Sequence, residues 1–132
     1  MKKIIAILGL FILTFTFFGC RQHIDINDYI DQKLPLVLKI GNQLERPDTI
    51  KVNSDKYRKL VDWGKANKDD WKSTPVSYIA DIYVGQGNFR LLYLPGKDGV
   101  VIGFTDNQEN PKQYSKRLKK GELDFLKEIT RK

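Results

Sequence analysis

Hydrophobic and polar positions divide this chain into an apolar beginning and a mixed remainder. Residues 4–18 form one apolar run, interrupted only by a glycine and two threonines, and Lys2 and Lys3 precede it. A basic start followed by roughly 7 to 15 apolar residues is typical of a secretory signal peptide. The run is shorter than the roughly 20 residues of a transmembrane helix. The pattern therefore predicts export, with an uncleaved membrane anchor as the second interpretation.

One amphipathic helix is predicted over residues 54–67. Apolar or small residues between Tyr57 and Gly64 recur at spacings of three, one and three, which places them on one helix face. Ser54 is a favourable N-cap residue for this helix.

Period-two patterns and turn residues predict the rest of the secondary structure. Strands are expected at residues 36–40, 49–52, 78–84, 89–94, 100–105 and 113–118. Gly121 followed by Leu123, Leu126 and Ile129 predicts a closing C-terminal helix. The expected fold class is α+β, an antiparallel β-meander of three to five strands with two helices packed on it.

The end of the apolar run carries the most specific motif of the chain. The segment Phe17-Phe18-Gly19-Cys20 resembles the lipobox of bacterial lipoproteins, in which a small residue precedes a cysteine that receives a lipid. Gly19 and Cys20 match it, whereas the two phenylalanines replace the usual aliphatic and small residues. The resemblance implies removal of residues 1–19 and a diacylglyceryl group with further acyl chains, such as palmitate, on Cys20.

The single cysteine also has a structural interpretation, a free buried thiol. An unpaired thiol is unusual in an oxidising compartment, and lipid attachment removes that difficulty. Three segments are then expected: a signal peptide at 1–19, a lipidated N-terminus and tether at 20–32, and a single small α+β domain at 33–132. In a cell with two membranes, the resemblance implies sorting to the outer membrane, facing the periplasm, because Arg21 rather than an aspartate follows Cys20.

Positive charge is concentrated at the C-terminus. Without Lys2 and Lys3 the chain has 21 basic and 16 acidic residues, a net charge of +5, and residues 112–132 alone hold eight basic and three acidic side chains. Candidate partner contacts are Lys112, Lys116, Arg117, Lys119 and Lys120. Their partner would be an acidic protein or an anionic envelope polymer. The alternative is a solvated basic surface; nucleic acid is not expected, because the segment lacks interleaved aromatic residues.

The sequence offers no recognisable catalytic or cofactor motif. The only histidine is His23, so a serine or cysteine nucleophile would have no other histidine base. Asp69 and Asp70 alone are too few for a zinc site, and a carboxylate pair such as Asp62 with Asp81 has no diagnostic spacing. Neither an enzyme nor a bound cofactor or metal is expected.

Trp63 and Trp71 bracket the end of the predicted helix. They are expected to cover a small core, with sugar stacking as the alternative. The functional expectation is a membrane-anchored envelope lipoprotein that acts as a non-catalytic binding module facing the periplasm. It is similar in organisation to small lipid-anchored immunity proteins that neutralise periplasmic toxins. The alternative is a structural accessory lipoprotein that binds peptidoglycan or an envelope assembly.

Overall fold

Alternating apolar side chains give most of this chain an extended conformation. The computed structural model describes residues 21–41 and 47–128. Within them lie eight strands and one helix: β1 Arg21–Gln22, β2 Leu36–Ile40, β3 Asp48–Ile50, α1 Asp55–Ala66, β4 Trp71–Ser73, β5 Ile82–Gln86, β6 Phe89–Leu94, β7 Gly99–Thr105 and β8 Pro111–Arg117. Short 3-10 turns lie at Ile26–Tyr29, Pro95–Lys97 and Asp124–Lys127.

All the strands belong to one antiparallel sheet, in the order β1-β4-β8-β7-β6-β5-β2-β3. A row of register partners crosses its centre: Leu38, Val84, Leu91 and Ile102. Each is at most 1 % exposed, and burying an aliphatic side chain of this size contributes about 1.5 to 3 kcal/mol. This row faces α1 and forms the centre of the core.

Helix α1 forms where the sequence predicts it. The Ser54 hydroxyl accepts a hydrogen bond from the backbone amide of Tyr57, one of the free amides of the first turn, at 3.2 Å. Asp55 lies at the positive end of the helix dipole. The predicted apolar face is buried against the sheet. At the other end the side-chain amide of Asn67 donates to the Trp63 carbonyl at 2.9 Å.

The α+β prediction, with two helices on a meander of three to five strands, is wrong. The sheet has eight strands and the described chain has one α-helix. Strands β1 and β4 have two and three residues, too few to show a period-two pattern. At the C-terminus a 3-10 turn replaces the predicted helix, with Leu123 and Leu126 buried; their spacing of three suits a 3-10 turn equally well. Ile129 lies outside the described residues.

The predicted strand at 78–84 starts late, because β5 begins only at Ile82. The alternation of apolar residues is continuous through this segment, so it does not mark the point where pairing begins. The strand predicted at 49–52 lies instead at Asp48–Ile50.

Residues 21–32, the described part of the predicted lipidated N-terminus and tether, are packed on the sheet and on α1. Ile24, Ile26 and Ile30 are all at least 93 % buried, with exposures of 7, 0 and 7 %. The Ile24 amide donates to the Lys68 carbonyl at 2.7 Å. The described chain is therefore part of the fold from Arg21 onward.

Candidate functional site

Residues 74–81, here called the crossover segment, connect β4 to β5 across the sheet. Strand β4 runs toward the end of the sheet where β8 begins, with Ser73 paired to Tyr114. Strand β5 begins at the opposite end, with Ile82 paired to Tyr93. Strands β8, β7 and β6 lie between them. A connection between opposite ends of separated strands has to cross one face of the sheet.

Gln113 shows which face is crossed. Its register partner is Gly103, and both residues alternate with side chains that face α1. The side-chain amide of Gln113 donates to the carbonyls of Thr74 and Val76, at 3.2 and 2.6 Å. The crossover segment therefore lies on the sheet face opposite α1, here called the crossover face. Val101, which points to this face, does not belong to the core cluster on the α1 side, yet it is only 1 % exposed.

All the charged side chains at the described strand positions of the crossover face are basic. Register partners share a face, and the pairings place five cations there: Arg21, Lys39, Lys72, Arg90 and Arg117. Among the described strand residues, no aspartate or glutamate points to this side. The result is an array of cations on adjacent strands.

The densest part of this array is an open cleft of about 510 Å³ beside the edge strand β1. Its lining residues are Arg21, Asp70, Lys72, Ser115, Lys116 and Arg117. Arg21 donates to the Asp70 carboxylate at 3.1 Å, and both side chains are more than 60 % exposed. Three cations that point to the crossover face, Arg21, Lys72 and Arg117, thus share one carboxylate, which leaves an excess of positive charge in a solvated cleft. Such a cleft suits phosphate or carboxylate groups of a ligand.

Arg90 extends the array toward the other end of the strands. Its guanidinium lies across Gly103, where an added Cβ would be 2.7 Å from Nε. Arg90 also donates to the Gln113 side-chain oxygen at 3.3 Å. Gly103 therefore makes room for a cation that lies flat on the sheet beside a second depression of about 420 Å³.

The crossover segment also exposes apolar side chains. Ile79 is 97 % exposed and Val76 is 55 % exposed. Within the segment, the hydroxyls of Thr74 and Tyr78 are hydrogen bonded at 2.9 Å. Two aliphatic side chains are thus exposed on the segment that crosses the cationic face.

The five predicted contact residues do not form one patch. Lys112 lies at the start of β8, 4.0 Å from Asp106. Lys116 points to the α1 side, where it donates to the Asp69 carbonyl and lies 5.7 Å from the centroid of the Trp71 ring. Arg117 points to the crossover face. Lys119 and Lys120 are exposed after β8.

The missed site residues are Arg21, Lys39, Lys72 and Arg90, which are dispersed along the sequence. Arg21 and Lys72 come beside Arg117 only because β1 pairs with β4 and β4 pairs with β8. Alternation was an available signal only for Lys39 and Arg90, which lie in the longer strands β2 and β6, and the strand order could not be derived from it. Cys20, the predicted lipid attachment residue, lies outside the described residues.

Tyr93 and Asp124, on the α1 side of the sheet, form a structural contact. Tyr93 is 1 % exposed and donates to the Asp124 carboxylate at 2.6 Å. Burial and this hydrogen bond raise the pKa of Tyr93, whereas the bonds from Tyr93 and Lys127 hold the pKa of Asp124 below its usual value. The contact joins the C-terminal 3-10 turn to β6.

The carboxylates considered as an acid and base pair lie apart in the fold. Asp62 is exposed on α1 and lines a depression there that does not include Asp81. Asp81 is exposed at the end of the crossover segment. Residues 21–41 and 47–128 contain no group of three or more histidine, cysteine or carboxylate side chains suited to a metal ion. The predicted tryptophan pair is buried, with ring centroids 6.2 Å apart in an edge-to-face arrangement.

Comparisons with known proteins add no family to this geometry. No family model, no curated protein and no solved structure matches the chain. In the part of the chain that the structure describes, none of the helices has the length and apolar character needed to cross a bilayer.

Proposed function

We propose that this chain is a membrane-anchored envelope lipoprotein that acts as a non-catalytic binding module facing the periplasm. The observation that carries the proposal is the position of Cys20. It ends an apolar run, follows Gly19, and is joined by one peptide bond to Arg21 in β1. One acyl chain holds a protein to a bilayer only marginally, whereas two or three hold it stably.

The binding role is supported by the exposed chemistry of the folded chain. The cationic cleft is open to solvent, and its side chains are suited to charge recognition. The partner classes are an acidic protein, such as a toxin neutralised by an immunity-type protein, and an anionic envelope polymer. The second class would make the protein a structural accessory of the envelope, and the cationic cleft suits the anionic groups of either class.

The anchor is tested by intact mass and membrane fractionation of the full chain produced in a bacterial host. We expect the wild type to lose residues 1–19, to gain lipid mass on Cys20 and to sediment with membranes. Cys20→Ala should lose both the added mass and the cleavage. Gly19→Ala is the matched control, because it keeps a small residue before the cysteine. An unmodified wild-type chain would contradict the anchor.

The binding role is tested by photocrosslinking in the periplasm, with probes placed at Lys119 and at Asp62 in separate variants. Both positions are exposed. A single discrete protein adduct supports the immunity-type role, whereas adducts with peptidoglycan support the structural accessory. The absence of adducts at either position would contradict a partner at these surfaces.

A further inference from the structure

We propose that the crossover face lies against the membrane and that its cations bind the phosphate groups of anionic lipids. The proposal rests on the lipid anchor at Cys20 proposed above. It adds the orientation of the domain and a ligand for the cationic cleft.

The first argument is the distance between the anchor and the cleft. Consecutive Cα atoms are about 3.8 Å apart, so a lipid on Cys20 holds Arg21 at the level of the headgroups. Arg21 is in register with Lys72, and Lys72 with Ser115. Neighbouring strands are about 4.8 Å apart, which places these positions within about 10 Å of the anchored edge. That distance is similar to the Debye length of about 8 to 10 Å in physiological salt.

The second argument is the lack of a spacer. Strand β1 is hydrogen bonded to β4, and Ile24 and Ile26 are buried immediately after it. A flexible tether would let the domain turn freely above the bilayer. Here the edge of the sheet follows the anchor directly, so the orientation of the domain is restricted.

The third argument is the distribution of charge around that edge. Five cations occupy strand positions of the crossover face, where the described strands hold no carboxylate. Carboxylates lie in the adjoining loops: Asp69 and Asp70 before β4, with Asp70 paired to Arg21, Asp98 before β7, and Asp81 at the end of the crossover segment. Each lysine or arginine near an anionic surface strengthens association about five-fold. Helix α1 has a smaller excess of positive charge, because its four basic residues are accompanied by Asp55 and Asp62.

The fourth argument is the apolar surface of the crossover segment. Ile79 and Val76 are exposed on the crossover segment, which lies on the sheet face that carries the cations. Aliphatic side chains surrounded by lysine and arginine are typical of segments that enter the headgroup region. The membrane would cover both the charges and the aliphatic groups, and α1 would then face the periplasm.

The test uses the full chain, purified after lipid attachment and reconstituted into vesicles. Cys20 is the only cysteine, so once it is acylated a Ser77→Cys substitution on the crossover segment gives one site for a nitroxide label. A Lys65→Cys label on α1 is the comparison; both positions are exposed. The measurement is the accessibility of each label to a water-soluble nickel complex, with vesicles of phosphatidylcholine alone or mixed with phosphatidylglycerol.

We expect the Ser77 label to lose accessibility on the anionic vesicles, and the Lys65 label to keep it. The protection should disappear in Lys72→Glu/Arg117→Glu and in high salt. The matched control is Lys59→Glu/Lys65→Glu on α1, which makes the same change of charge and should leave the protection intact. Circular dichroism of both double variants checks that each is folded.

Other results would overturn the orientation. If the protein is acylated but the Ser77 label is equally accessible on both kinds of vesicle, the orientation is wrong while the anchor stands. If Lys72→Glu/Arg117→Glu abolishes periplasmic protein crosslinks with no change in label accessibility, the cleft serves an acidic protein instead. A chain without added lipid mass would overturn the anchor and this proposal together.

Discussion

Gly64 allows α1 to contact the turn formed by residues 26–29. A Cβ added at Gly64 would lie 2.5 Å from Cγ1 of Ile26 and 3.0 Å from its Cδ1. Alanine is favoured over glycine in a helix by about 1 kcal/mol, whereas overpacking costs about 1 to 3 kcal/mol. Because Ile26 is fully buried and has little room to move, the steric cost should exceed the gain.

We therefore expect Gly64→Ala to lower the free energy of unfolding by about 1 kcal/mol in urea denaturation. Ile26→Ala removes both clashing atoms, so the double variant should lose less stability than the sum of the single variants. Lys65→Ala, on the exposed side of α1, is the control and should change little. If the Gly64→Ala variant is more stable than the wild type, the turn at residues 26–29 can move enough to accommodate the added methyl group.

Tyr93 and Asp124 make stability depend on pH. The hydrogen bonds from Tyr93 and Lys127 hold the pKa of Asp124 below its ordinary value in the folded state. A carboxyl group shifted in this direction adds stability above its unfolded pKa of about 4 and loses that contribution as the pH falls through the folded pKa.

Tyr93→Phe removes one of these donors, so the pKa of Asp124 should return toward its ordinary value. We expect the variant to be less stable than the wild type at neutral pH, with a difference that narrows as the pH falls below about 4. Urea denaturation across this range is the measurement. Tyr83→Phe, on the opposite face of the sheet, should show no such narrowing, and a difference independent of pH in Tyr93→Phe would contradict the coupling.

At the scale of elements, prediction from the sequence succeeded where a hydrophobic pattern was long and had capping or turn residues at its ends. Helix α1 has a capping serine and a face that repeats over three turns, and the central strand β6 was predicted with its observed bounds. Strand β4 has three residues between exposed loops, so no local pattern distinguishes it. The crossover segment alternates like the strand that follows it, and only pairing shows where β5 begins.

The hydrogen bonds from Gln113 should keep the crossover segment on the sheet. Gln113→Met removes the donors to the carbonyls of Thr74 and Val76, and an intramolecular hydrogen bond typically contributes about 1 kcal/mol. Because the segment lies on the surface, we expect faster hydrogen exchange in residues 74–81 with little change in α1. Mass spectrometry of exchanged peptides measures this. Gln108→Met, in the exposed turn before β8, is the control, and equal acceleration throughout the chain would indicate general destabilisation instead.

At the scale of the whole molecule, the cations are arranged differently in the fold and along the sequence. The sequence concentrates lysine and arginine after residue 111, but β8 directs Lys116 and Arg117 to opposite faces. The array on the crossover face combines Arg21, Lys72 and Arg90 from distant segments. Sequence proximity therefore indicated the excess of charge, and strand order determines where that charge lies in the fold.

The incorporation of residues 21–32 into the fold leads to a prediction about the anchored protein. A domain on a flexible tether is released intact when a protease cuts the tether. Here the apolar residues that thermolysin prefers after Cys20 begin with Ile24, Ile26 and Ile30, which are buried, and backbone in such positions is cut mainly after unfolding. On the proposed anchor, we expect thermolysin to release little folded domain from membranes that carry the wild-type protein.

The comparison is a variant with a glycine and serine linker, containing one leucine, inserted between Cys20 and Arg21. Its linker should be flexible, so thermolysin should release a folded domain of nearly full length into the supernatant. Immunoblotting of pellet and supernatant over time measures both proteins. Release of the wild-type domain at the rate of the linker variant would mean that β1 and the following isoleucines detach readily, and the restricted orientation at the membrane would lose its basis. If release of the wild-type domain stays slow at low urea concentrations and rises only near the concentration at which the domain unfolds, the anchored edge unfolds together with the rest of the sheet.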